Sequence, residues 1–279
     1  MERPFLSFLT DFGPDGPAPI CRGVMLGIAR DAQILDLAHG IRKYAVADGA
    51  YLLESALPYL PVGVHVAVVD PGVGTERRPI AIRAARGDLL VGPDNGLLVP
   101  GAEALGGIDE ARLIENRALM LPVTSSTFHG RDIFAPVAAH LATGTPFEAV
   151  GPTVARSDLV RLALPAPTIR DGGLDTTVIY VDSFGNVRFA ATPDDLERAV
   201  GGLADGRALV VEFAPGNGGL PTIERTAWQQ TFGRVPPGTS LLFRDSLGRV
   251  ALADNQADAA GRLGVTPGRA ARIAAGDRA

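Results

Sequence analysis

A single cysteine, Cys21, excludes an internal disulfide, so thiol chemistry assigns the chain to no redox compartment. Long runs of lysine or arginine are missing, and 26 basic against 31 acidic residues leave a net charge of −5. That balance argues against nucleic acid or an anionic membrane as a partner. Long hydrophobic runs are missing as well. The opening MERPFLSFLTDFG carries only a short apolar segment, Phe5 to Leu9, too short for a signal-peptide core or a membrane span. A cytoplasmic location is the expectation. No repeat or low-complexity tract stands out, and no cluster has metal-ligand spacing, so neither a metal nor a cofactor is expected.

What is present is a folded, globular composition: 279 residues, 46% hydrophobic and 20% charged, enough for one large or two ordinary domains. Short apolar runs at Phe5–Leu9, Ile34–Leu37, Val64–Val69 and Leu89–Val91 read as strands. Helices are predicted over Lys43–Leu60 and Arg131–Leu141, the second closed by Gly144-Thr-Pro. Strands alternating with helices predict an α/β domain over residues 1–165 with helices on both sheet faces. The stretch from Leu162 to Gly173, with Pro165, Pro167, Gly172 and Gly173, reads as a linker. Beyond it, Thr177–Val181, Ala208–Phe213 and Ser240–Phe243 read as strands of a smaller, mainly β, barrel-like domain over residues 172–279.

Polar residues gather at the ends of the apolar runs, where open α/β sheets place their ligand sites. Thr10-Asp-Phe-Gly13 closes the first strand; Asp11 suits a ribose diol, and a simple turn explains it too. Val69-Asp-Pro-Gly-Val-Gly-Thr75 leads from a buried strand into a glycine-rich turn, followed by Arg77. Without a third glycine opening a helix it is not a dinucleotide fingerprint. Ser125-Ser-Thr-Phe-His-Gly-Arg-Asp132 sets His129 among polar and glycine residues ahead of a helix. Of the other histidines, His65 and His140 fit structural roles inside a strand and a helix, and His39 fits either role. Asp182-Ser-Phe-Gly-Asn186 could hold an amino group and a purine, or form a hairpin turn. Asp245-Ser-Leu-Gly248 has the look of a hairpin turn.

In this order, and together with Asp36-Leu-Ala-His39 and Val91-Gly-Pro-Asp-Asn-Gly96, these clusters resemble the S-adenosyl-L-methionine (SAM) hydroxide adenosyltransferase family over nearly the whole chain. Its members are adenosine-forming SAM hydrolases, relatives of the SAM-dependent fluorinase and chlorinase. The resemblance implies an N-terminal α/β domain, a C-terminal β-barrel-like domain, a homotrimer, and SAM, adenosine and methionine as ligands. It assigns Asp70, Arg77 and His129 to catalysis and Asp11 to the ribose hydroxyls. Asp182 and Ser246 match groups on the methionine amine, Phe184 and Asn186 match adenine-site residues, and Phe232 is a further candidate for stacking on the adenine. Phe128, beside the histidine, completes the substrate-binding set. The chain departs from the family pattern at Gly16-Pro-Ala-Pro19 and at Ala38. Two other readings remain open on these residues, a SAM-dependent halogenase and a non-catalytic SAM or adenosine sensor. Halogenases carry tyrosines where this chain has Asp70 and His129, and the fluorinase carries serine in place of Gly130.

Overall fold

A computed structural model describes residues 3–163, 165–216 and 219–276. They form two compact units that divide between Leu162 and Ala163; the outer ends of both expected domains, residues 1–2 and 277–279, lie outside the described residues.

The first unit is built on one sheet of six strands: β1 (Phe5–Thr10), β2 (Gln33–Ala38), β3 (Val64–Val68), β4 (Pro79–Ala84), β5 (Leu89–Pro93) and β6 (Ile108–Leu113). Their order is β2-β1-β3-β5-β4-β6. Strands β2, β1, β3 and β5 run parallel, and β4 and β6 antiparallel to their neighbours. Side chains alternate across a strand, so Leu6, Phe8, Val66 and Val68 face α1 (Ala18–Ile28) and α4 (Ala135–Ala142). Leu9, Ala67, Val69 and Leu90 face α2 (Val46–Ala56) and α3 (Val99–Ala104). Covering both faces is what a continuous apolar run such as Val64–Val69 requires.

Helix starts account for three differences from the sequence reading. The Gly16–Pro19 departure is the start of α1, with Pro17 at its cap and Pro19 in its first turn, where a missing N–H costs nothing. Gly16 permits the tight approach, because a Cβ there would lie 2.1 Å from the Phe12 carbonyl oxygen. Helix α2 begins at Val46 rather than Lys43, since Tyr44 adopts a left-handed φ of 67° that no helix accommodates. The helix predicted from Arg131 opens instead with a π-helical turn, Gly130–Phe134, before α4.

Strand β1 has a parallel neighbour on each side, and the chain leaves it for β2 on one flank and later adds β3 on the other. Such a switch point opens a crevice at the carboxyl ends of the strands. Asp11 follows β1 there and Asp70 follows β3, with the Asp11 N–H donating to the Val68 carbonyl at 3.4 Å. A second polar group lies inside the sheet: Ser7 Oγ is 2.8 Å from His65 Nδ1, and His65 Nε2 is 2.9 Å from Asp88 Oδ1. All three are buried. Burial alone would raise the Asp88 carboxyl, but hydrogen bonds from His65 and Arg86 override it and hold it well below the usual range. Arg86 continues the network to the Leu57 carbonyl at the end of α2. With no solvent at the serine, this Ser-His-Asp arrangement is a structural tie.

The second unit is an antiparallel, nearly closed barrel-like sheet of β7 (Thr168–Arg170), β8 (Gly173–Val181), β9 (Val187–Phe189), β10 (Ala208–Phe213), β11 (Thr222–Ala227), β12 (Ser240–Arg244), β13 (Val250–Asp254) and β14 (Ala270–Ala275). The path β11-β10-β14-β8-β9-β13-β12 has β7 added to β8, and the Gln229 N–H donates to the Leu242 carbonyl at 2.8 Å, drawing its ends together. Phe189, Phe213, Trp228 and Leu252 fill the interior, with α5 (Pro193–Val200) and α6 (Ala259–Leu263) outside the sheet path. The stretch read as a linker thus supplies β7 and the first residue of β8. No helix among the described residues is long and apolar enough to cross a membrane.

Candidate functional site

Asp70, Arg77 and His129 come together in the first unit. Arg77 Nε donates to Asp70 Oδ1 at 3.0 Å and Nη2 to Asp70 Oδ2 at 2.5 Å, a two-pronged ion pair. The same Nη2 lies 3.0 Å from His129 Nδ1. An arginine can only donate, so Nδ1 is the acceptor and the neutral imidazole carries its proton on Nε2. The Asp70 and Arg77 side chains are 5% and 6% exposed. Arg77 Nη1 is buried without a hydrogen-bond partner, and the guanidinium lies 5.3 Å over the Phe134 ring. Burial pushes the His129 pKa below its ordinary value, and the positive charge of Arg77 adds to the effect.

A glycine lets these groups come together. Gly74 has φ +77°, and a Cβ on it would stand 2.5 Å from the Ser126 carbonyl oxygen. The turn after β3 can therefore lie directly on the loop that precedes His129. Behind it, Asn95 Nδ2 donates to the Val69 carbonyl at 2.8 Å. Asp94 pairs with Arg78 and accepts the Val160 N–H at 2.9 Å. The Val91–Gly96 motif thus braces the strand end that carries Asp70. On the His129 side, the buried Asp132 carboxylate accepts the Ser125 N–H at 2.7 Å and fixes the loop. Asp11 accepts the Tyr44 N–H at 2.9 Å, and its neighbour Phe12 meets Phe128 edge to face at 5.8 Å.

The remaining candidates lie in the second unit. Asp182, Phe184, Asn186, Phe232 and Ser246 line one cavity of about 660 Å³, within the range of small-molecule sites. The β8–β9 hairpin turn carries the first three. Asp182 Oδ1 accepts the Phe184 and Asn186 N–H groups at 3.0 Å each, and Oδ2 accepts from Asn186 Nδ2 at 2.9 Å. The Phe184 ring is 77% exposed, available for stacking. Sequence reasoning missed Arg188, Phe243 and, on the rim turn after β13, Asp254, Gln256 and Ala257, all of which line the same cavity. Only Gln256, with a left-handed φ of 56°, marks that rim, and a backbone angle is not written in the residue pattern.

Residues 6–151 match the SAM hydroxide adenosyltransferase N-terminal domain, and residues 176–272 match the SAM hydroxide adenosyltransferase C-terminal domain. The chain belongs to this family. It is 46% identical over 274 residues to the (R)-S-adenosyl-L-methionine hydrolase of Salinispora tropica, covering 98% of each chain. With the (R)-S-adenosyl-L-methionine hydrolase of Thermus thermophilus it shares 38% identity, over 95% of this chain and 98% of the relative. A fluorinase from an Actinoplanes species is 29% identical over 91% of this chain and 92% of its own. A crystal structure of an uncharacterized conserved protein from Thermotoga maritima superposes with a TM-score of 0.85 at 33% identity, covering 96% of this chain and 99% of that one.

Proposed function

We propose that this protein hydrolyses (R)-S-adenosyl-L-methionine to adenosine and methionine by displacement at C5′. The oxygen of a water or hydroxide forms the C5′–O bond as the C5′–S bond breaks, and the bonding pair stays on sulfur to give the neutral thioether of methionine. The observation that carries this reading is the buried Arg77, which bridges Asp70 and His129 and keeps its Nη1 without a partner. Together with the Nε2 proton of His129 it supplies donors for an oxygen nucleophile. His129 acts in this form as a donor that holds the oxygen, because its Nδ1 is occupied by Arg77. The proton is lost either before binding, as hydroxide, or to a free lone pair of Asp70.

Asp11 takes the ribose hydroxyls and Phe128 packs on its chain neighbour Phe12; Asp182 and Ser246 take the methionine amine, and Phe184, Asn186 and Phe232 take the adenine. SAM serves as substrate and no cofactor takes part. The epimer and the reaction are those of the (R)-S-adenosyl-L-methionine hydrolase relatives, which stand closer in identity than the fluorinases. The protein acts in the cytoplasm as a homotrimer. Turnover of each sulfonium epimer in ¹⁸O-water tests the chemistry: label on the 5′-oxygen of adenosine is expected, with the (R) epimer preferred. S-Adenosylhomocysteine or methanol as the main product would remove the assignment, and a monomer in sedimentation equilibrium would remove the trimer.

A further inference from the structure

Position 130 is glycine for a steric reason. Its backbone is helical, a conformation open to every residue except proline, yet a Cβ there would stand 3.0 Å from Phe12 Cζ. Phe12 Cε2 and Phe128 Cε2 would each lie 3.6 Å away. The first distance is tighter than ordinary packing, and Phe12 has little freedom to withdraw. Phe128 holds its ring edge to face at 5.8 Å, with 74° between the planes. Phe128 is in turn covered by the Arg131 guanidinium at 4.9 Å, and Arg131 pairs with the buried Asp132. At its backbone, the Phe12 N–H donates to Thr10 Oγ1 at 3.2 Å. Phe12 follows Asp11 in the chain and Gly130 follows His129, so this one ring spans from the strand end of the ribose carboxylate to the turn of the histidine.

We propose that Phe12 is a specificity-determining residue: its ring, propped by Phe128, fills the volume beside Gly130 and keeps the space next to His129 to the size of a water or hydroxide. The inference rests on the reading of His129 as the group that holds the nucleophilic oxygen. A shorter side chain at 12 opens this space to larger nucleophiles without touching Asp70, Arg77 or His129.

Azide is the probe, a small anion that attacks carbon directly. A terminal nitrogen would form the C5′–N bond as C5′–S breaks, the pair leaving on sulfur as methionine, to give 5′-azido-5′-deoxyadenosine. Wild-type protein with SAM and excess azide should yield adenosine alone. Phe12→Ala, and Phe12→Leu should the alanine variant fold poorly, should divert turnover to the azido nucleoside by roughly 10-fold or more, the discrimination that one misfitting methylene commands. A folded variant that hydrolyses SAM with the wild-type partition overturns the proposal. So does one that binds SAM and forms neither product, since Phe12 would then position the site and not size it. Complementation checks the packing: Gly130→Ala should lower kcat in the wild type and be relieved by Phe12→Leu, and equal damage in both backgrounds overturns it. Wild-type protein without azide separates the two levels, because failure to form adenosine there counts against the hydrolase reading itself.

Discussion

Replacing Arg77 by alanine removes three hydrogen bonds at once, two to Asp70 and one to His129, from a side chain only 6% exposed. The Asp70 carboxylate, 5% exposed, is left without its counter-charge. Breaking a buried pair by deleting one partner costs about 3–5 kcal/mol. At roughly 2–4 °C per kcal/mol for a unit of this size, Tm should fall by roughly 6–20 °C. Turnover should fall by roughly 10²–10⁴-fold, the range of a lost proton-handling group, with a smaller change in KM. The decisive variant is the double one. In Asp70→Leu/Arg77→Met both charges go, and apolar replacement of a whole buried pair is often neutral for stability. Urea unfolding should therefore return the double variant close to the wild-type midpoint, while chromatographic assay of adenosine shows no recovery. Stability losses that simply add, or near-normal kcat in folded Arg77→Ala, would refute the reasoning.

Two further outcomes follow from the same cluster. His129 titrates below its ordinary value of 6.5 because of burial first and Arg77 second, so its neutral form persists to lower pH than a free histidine. Acid protonation puts a proton on Nδ1, where Arg77 already donates; kcat/KM should therefore fall with a midpoint below pH 6.5, and that midpoint should rise in Arg77→Gln. The unfolded chain takes up this proton first, so stability should also decline as pH drops below 6.5. Gly74→Ala combines a left-handed φ with a 2.5 Å clash on the Ser126 carbonyl and should lower kcat with about 1–3 kcal/mol of stability. Gly87→Ala, also at positive φ (+101°) but meeting only Val62 Cγ1 at an ordinary 3.9 Å, is the control that should lose stability and keep kcat.

The sequence carried the sheet where apolar runs are long and bounded by turn residues. Ala208–Phe213 stands as read, and Val64–Val69 ends one residue early at Val68. Strands β4 and β6 escaped because arginine and acidic residues interrupt their pattern; Arg83 and Arg112 lie among surface ion pairs. Helix α1 escaped behind two prolines that read as a loop and in fact begin it. The Asp70, Arg77 and His129 set was visible as motifs, but its geometry depends on how closely two turns approach, which Gly74 decides. Residues of the Asp254–Ala257 rim had no motif at all, because a barrel strand end becomes a pocket wall only once β13 pairs with β9 and β12.

The π-helical turn at Gly130–Phe134 makes chain length, as much as residue identity, a condition of the site. An α-helix turns about 100° per residue, at 3.6 residues per turn, and a π turn takes one residue more over the same arc. Deleting a single residue there would let the segment relax into the helical path of α4. Ala135, Val137, Ala138 and Leu141 would keep their places in the core and His129 its angular place, while Asp132, which holds the Ser125 N–H, and Phe134, under the Arg77 guanidinium, could not both keep their directions. Such a deletant would retain Asp70, Arg77 and His129 and lose the supports that aim them. An alignment that matched its residues without counting the spacing between Ser125 and Ala135 would score it as intact.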